Sequence, residues 1–257
     1  MNKKYLELTT LVAFIAIIML MTLIPQLGYI TLMPGVSLTL IHIPFLIGIY
    51  ILPNKKAWIL GIVWGLSSLI ASYLYANTPF DIAFQNPFIS VVPKIIFGFI
   101  AIGIKKLISI INEKFKNYDY ILFTIISIIT ILFVYYGTTN LAKNISSIKL
   151  EVIMPISLII LGLLLGFYFY SFKKSSDEAL ISFYAIILTM IHTFLVLFWV
   201  MLFAKDKMIE AFNSTELINA IMGVAGFNGL IESSLASIIV PLIIKAIKSS
   251  KLQINNY

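Results

Sequence analysis

The sequence contains no cysteine and no arginine. Without cysteine there are no disulfides, no thiolate metal sites and no thiol catalysis. Charge is scarce: charged residues make up 11% of the 257 residues, against about 25% in an ordinary soluble domain. All 18 basic residues are lysines, and with 11 acidic residues they leave a net charge of +7. In other chains a basic balance points to nucleic acid. Here the lysines fall in short clusters between apolar runs, the pattern of membrane topology. Catalytic motifs are missing as well. Gly98 and Gly103 have the glycine spacing of a phosphate loop, but Ile104 follows where lysine is required, so the chain has no such device for ATP hydrolysis. There is no His-Glu-x-x-His, and two histidines far apart in the chain make a weak zinc site. No serine sits in a Gly-x-Ser-x-Gly setting. The expectation is a protein that is not an enzyme and has no catalytic residues, resident metal or cofactor.

What is abundant is apolar surface. Apolar residues make up 60% of the chain, and the mean hydropathy is +1.02. A globule of this size must still solvate its outside, so burial alone cannot absorb so much apolar area. Lipid is the solvent that fits. Eight apolar segments lie near Leu8–Ile24, Val36–Leu52, Ala57–Tyr75, Val91–Ile111, Tyr120–Gly137, Val152–Phe172, Ala179–Phe203 and Phe227–Ile247. Each is long enough to cross about 30 Å of hydrocarbon as a helix. None shows the alternation of a barrel strand, so the expected fold is all-α, a polytopic membrane helix bundle. The first segment follows Lys3 and Lys4 like a signal peptide. Its apolar core is too long for one and no small-x-small cleavage site follows, so it reads as a retained helix.

Lysine placement sets the orientation. With a cytoplasmic N-terminus, inner segments hold 13 of the 18 lysines and outer segments hold Lys94, Lys143, Lys149, Lys205 and Lys207. The bias puts both termini inside, in the cell membrane. Two outer loops, Ile24–Val36 and Ala76–Val92, are too polar to span and too apolar to be tethers. Tyr29, Phe80, Phe84 and Phe88 fit packed loops that cap a cavity, or ordinary ordered loops. Asn213–Ala220 offers Ser214 or Thr215 as a helix cap ahead of Gly223, Gly226 and Gly229, consistent with a short interfacial helix and a break.

Polar groups inside the membrane are expensive and mark function or pairing. His42 precedes Pro44 in the second segment, Lys94 opens the fourth, and His192 is near the middle of the seventh. Asn228 and Glu232 lie one turn apart in the eighth and share a face. All five fall in the outer half or near the midplane, as a polar cavity open to the outside requires. Each also has a structural reading. Lys94 can snorkel to the headgroups, His42 can bond a carbonyl freed by Pro44, and His192 can bond between helices. A mid-helix carboxylate such as Glu232 needs a proton, a cation or a ligand. Gly61 and Gly65, and Gly162 and Gly166, have the spacing of close helix packing.

Five stretches in order resemble the substrate-binding S components of energy-coupling factor (ECF) transporters, most of all the pantothenate type. They are Thr39 to Gly48 with its His42-Ile43-Pro44, Ile59 to Leu69 with its paired glycines, Asn86-Pro87-Phe88, Val92-Pro93-Lys94-Ile95, and Asn228-Gly229-Leu230-Ile231-Glu232 through Pro241. The likeness covers residues 8–111 and 179–248. The family has six helices, so residues 118–172 read as an inserted helix pair within one integral membrane domain. It commonly carries arginine where Lys94 stands, and lysine keeps the charge but not the bidentate fork. The resemblance implies a vitamin-binding subunit. His42, Asn86, Lys94, His192, Asn228 and Glu232 are then substrate-binding residues, with Lys94 on an anionic group. It also implies a transmembrane coupling subunit and two ATPase subunits as partners, ATP being used by those partners. Thr9, Ala13 and Ala16 on the first helix are the small residues that would dock the coupling subunit. The alternative reading is a proton-coupled secondary transporter without ATPase partners, with Glu232 and His192 as the relay.

Overall fold

A computed structural model describes residues 3–33, 36–114, 118–144, 149–212 and 215–250. In chain order the elements are α1 (Lys3–Leu23), α2 (Pro25–Gly28), β1 (Tyr29–Met33), β2 (Val36–Thr39), α3 (His42–Ile51), α4 (Asn54–Ala57) and α5 (Ile59–Tyr75). There follow α6 (Pro79–Ala83), α7 (Pro87–Ser90), α8 (Val92–Lys114), α9 (Tyr118–Asn144), α10 (Leu150–Lys174), α11 (Ser176–Phe203), α12 (Lys205–Phe212) and α13 (Leu217–Ser249). Among the described residues seven helical stretches are long and apolar enough to cross a membrane. The chain is a multi-pass membrane protein.

The second expected span, Val36–Leu52, is not a continuous helix. Its first part is β2, which pairs antiparallel with β1, Tyr29 opposite Thr39. Its second part is α3, of 10 residues. Pro44 explains the boundary. Proline lacks the N–H that a helix interior needs and fits only the first turn, so the helix starts at His42. The residues before it satisfy their backbone groups in a hairpin instead, and Leu40 N–H donates to the Gly28 carbonyl at 2.8 Å.

The last expected span also changes. It starts near Phe227 by hydropathy, but α13 begins at Leu217 and runs unbroken for 33 residues. Its glycines do not break it. A Cβ on Gly226 would collide with Gly137 of α9, and one on Gly223 would lie 2.8 Å from the Leu141 nitrogen. The glycines let two backbones touch. The short helix of this loop is α12, one segment earlier than expected. Ser214 lies outside the described residues, and α13 has no side-chain cap bond. Gly61 and Gly65 do pack closely: a Cβ on Gly61 would lie 2.8 Å from the Lys94 carbonyl oxygen, and one on Gly65 2.8 Å from Val91 Cα. Gly162 and Gly166 meet nothing within 4 Å, so their spacing is not a contact among the described residues.

Lysines gather both termini at one end of the bundle. Lys56 pairs with Glu7 at 2.9 Å. Glu178 at the start of α11 pairs with Lys174 at 3.3 Å and with Lys245 near the end of α13. Lys105 donates to the carbonyls of Ile49 and Leu52 at 3.0 and 3.1 Å, which closes the C-terminus of α3. Charge bias leads one to expect this lysine-rich end on the cytoplasmic side. The largest apolar core joins α1, α3, α5, α8, α11 and α13 through residues such as Phe14, Phe45, Trp64 and Phe97. A second core holds α9 and α10 against α11 and α13 through Val134, Leu164, Tyr168, Ile186 and Leu230.

Candidate functional site: a polar cavity at the outer end

The end away from the paired lysines encloses a cavity of about 590 Å³. Its walls come from α1, α5, α8, α11 and α13, and its mouth from the two outer loops. No lining residue lies in α9 or α10. The loops are packed. Thr78 and Asp81 form a reciprocal cap at α6. Phe80 packs tilted against Phe212 of α12 with ring centroids 6.1 Å apart, and Phe88 against Trp199 of α11 at 5.6 Å. Gln85 Nε2 donates to the Ser72 carbonyl at 3.2 Å, tying the loop to α5.

Lys94 sits in the first turn of α8, brought against α5 by Gly61. It is 4% exposed. Its ammonium lies 4.6 Å from the centre of the Phe84 ring and lines the cavity. Among the described residues no carboxylate pairs with it. A buried ammonium leaves a charge whose desolvation the aromatic face offsets only in part.

Glu232, 2% exposed, lines the cavity from α13. Its Oε1 accepts from the Thr39 backbone N–H at 2.6 Å, and its Oε2 meets the Thr193 hydroxyl at 2.8 Å. It thus ties β2 to α11 and α13. Asn228, one turn earlier, also lines the cavity. His192 lines it from α11 and stacks on Trp64, with centroids 4.8 Å apart. His42 is fully buried behind this wall and does not line the cavity. Its Nδ1 is 2.5 Å from the Thr39 carbonyl oxygen, and its ring stacks on His192 at 5.9 Å. Asn86 is exposed and lies outside the lining. Its Oδ1 accepts from Phe88 N–H at 2.9 Å as the cap of α7. Thr9, Ala13 and Ala16 lie together on the exposed face of α1, opposite the buried Leu11, Phe14 and Ile18.

The cavity uses residues that sequence reading passed over. Trp64, Ser68 and Ser72 line it from α5 at helical i, i+4 spacing, a stripe detectable in an apolar helix. Thr193 carried no such signal. At the mouth Tyr29 faces Ser68. Burial pushes its phenol up to about 12, the nearby Asp81 reinforcing and the Ser68 hydrogen bond opposing, so it stays a neutral hydroxyl.

Fold and site together define a multi-pass membrane protein with a polar, cation-bearing cavity at its outer end. The sequence is 37% identical over 100 residues to the pantothenate transporter PanT of Leuconostoc mesenteroides. That match covers 38% of this chain and 48% of PanT, so the chain spans about half the length of this relative. No protein-family model matches the sequence.

Proposed function

We propose that the chain is the substrate-binding subunit of an ATP-dependent ECF-type uptake transporter for pantothenate or a related small water-soluble vitamin. The observation that carries this reading is the buried Lys94 ammonium, which faces a cavity with no carboxylate partner among the described residues. An anionic vitamin supplies the missing charge. The lining polar groups of Asn228, Glu232 and His192 then hydrogen-bond its amide and hydroxyls. The similarity to PanT supports the substrate class. The outer loops act as the lid. ATP is used by two ATPase subunits, which act through a transmembrane coupling subunit docked on α1 at Thr9, Ala13 and Ala16.

Hydrogen bonds to a charged group contribute about 1.5–3 kcal/mol. Purified protein is therefore expected to gain thermal stability with micromolar pantothenate, by mass action on the native state. Absence of a shift across a panel of water-soluble vitamins overturns the reading. Uptake into liposomes by this chain alone, driven by a pH gradient, replaces it with proton-coupled transport.

A further inference from the structure

Behind the cavity wall, chain segments remote in sequence bring two imidazoles and a carboxylate together. A nitrogen of His42, a nitrogen of His192 and an oxygen of Glu232 all lie within 4.8 Å of one another. All three residues are buried. The trio is not held by mutual hydrogen bonds. His42 Nε2 and both ring nitrogens of His192 have no hydrogen-bond partner among the described residues. His42 Nε2 cannot be satisfied by a cavity ligand, because His42 does not line the cavity.

The surroundings resemble those of metal ligands. A ligating histidine usually donates its other ring N–H to a backbone carbonyl or carboxylate, which fixes the tautomer and aims the free lone pair. His42 does this: Nδ1 faces the Thr39 carbonyl oxygen and Nε2 is left free. Ligating carboxylates are themselves hydrogen-bonded, as Glu232 is by Thr39 N–H and Thr193. Trp64 and Phe97 pack on the His192 ring at 4.8 and 5.1 Å and limit its rotation.

We propose that His42, His192 and Glu232 form a binding site for a divalent transition-metal ion of the zinc, cobalt and nickel class. Two imidazoles and one carboxylate suit these borderline ions. Bonds of about 2.0–2.2 Å place tetrahedral donors about 3.4 Å apart, so the three groups close on the ion by small side-chain rotations. His192 and Glu232 line the cavity, which leaves the fourth position open to it. Lys94 lines the same cavity and repels a bare dication, so the ion carries water, hydroxide or a ligand oxygen at that position. The site goes beyond the vitamin-binding reading and does not depend on it.

The test uses the full chain without a histidine tag, stripped with chelator and titrated with cobalt(II). The expected result is one cobalt per chain, d–d absorption of a four- or five-coordinate ion, and displacement by zinc. Affinity is expected to fall at least 100-fold in His192→Ala and in Glu232→Gln, and about ten-fold in Thr193→Val, whose hydroxyl contacts the carboxylate and the Thr189 carbonyl but none of the other proposed ligands. No stoichiometric cobalt in the wild-type chain overturns the site. Cobalt bound equally by the wild type and the variants is adventitious and also overturns it. Should a variant fail to fold, nitrogen coordination in the wild-type cobalt spectrum decides: its absence rules the histidines out. Pantothenate binding to the chelator-stripped protein separately tests the vitamin reading.

Discussion

Helix α8 carries a lysine towards each end, Lys94 buried and Lys105 half-buried, and the two live differently. Lys105 donates to two carbonyls at the C-terminus of α3 and so finishes another helix. Lys94 has an aromatic ring beside it and an open cavity before it. The residue type and the helix are the same, yet one charge is consumed by the fold and the other has no carboxylate partner among the described residues. The inner end of the bundle is closed electrostatically, with Glu7 and Glu178 also taken up by lysines. The outer end keeps its polar groups facing a cavity. A lysine's presence in a membrane helix therefore says less about function than whether the fold has already supplied its counterpart.

The contrast can be broken or sharpened by substitution. The largest effect is expected for Gly61→Leu, which drives a side chain into the Lys94 backbone and pushes the outer end of α8 off α5. Overpacking of this kind costs about 1–3 kcal/mol or more, and ligand binding should be lost with it. Thermal unfolding in detergent with and without pantothenate measures both. Lys94→Ala should weaken pantothenate binding about ten-fold or more without lowering stability, since it removes a desolvated charge that no carboxylate among the described residues neutralises. Unchanged affinity in that variant would end the assignment of Lys94. Lys105→Met should do the reverse. It leaves the α3 carbonyls unsatisfied at about 1–3 kcal/mol, and it should leave ligand affinity alone. Lys94→Arg keeps the charge and adds a bidentate fork, so binding should stay within a few-fold of wild type in a calorimetric titration. The smallest effect belongs to Gly162→Ala, where a Cβ meets nothing within 4 Å. Its helix should gain about 0.5–1 kcal/mol, read as a small rise in melting temperature.

Hydropathy located seven of the spans because length and apolarity are all that a lipid-crossing helix must show. It failed at Val36–Leu52 because an apolar run does not say how its backbone is satisfied. Pro44 held the answer. It also started α13 late, since Gly223 and Gly226 look like breakers where they are contact points with α9. Within the site, Asn228 and Glu232 were legible as one face because helical spacing is local. The meeting of His42 and His192 was not, because it depends on how α3 and α11 pack. Asn86 shows the opposite difficulty. An Asn-Pro pair is already a helix-start signal, and in the structure the side chain caps α7.

The backbone of one residue links much of this. Through its backbone alone, Thr39 gives its N–H to Glu232 and presents its carbonyl oxygen to His42. A substitution scan is nearly blind to such a contact, because every side chain except proline leaves it in place. Position 39 should therefore look permissive while remaining the keystone of the outer wall. Replacing the Leu38–Thr39 amide by an ester removes the donor while every side chain stays, and so exposes its importance.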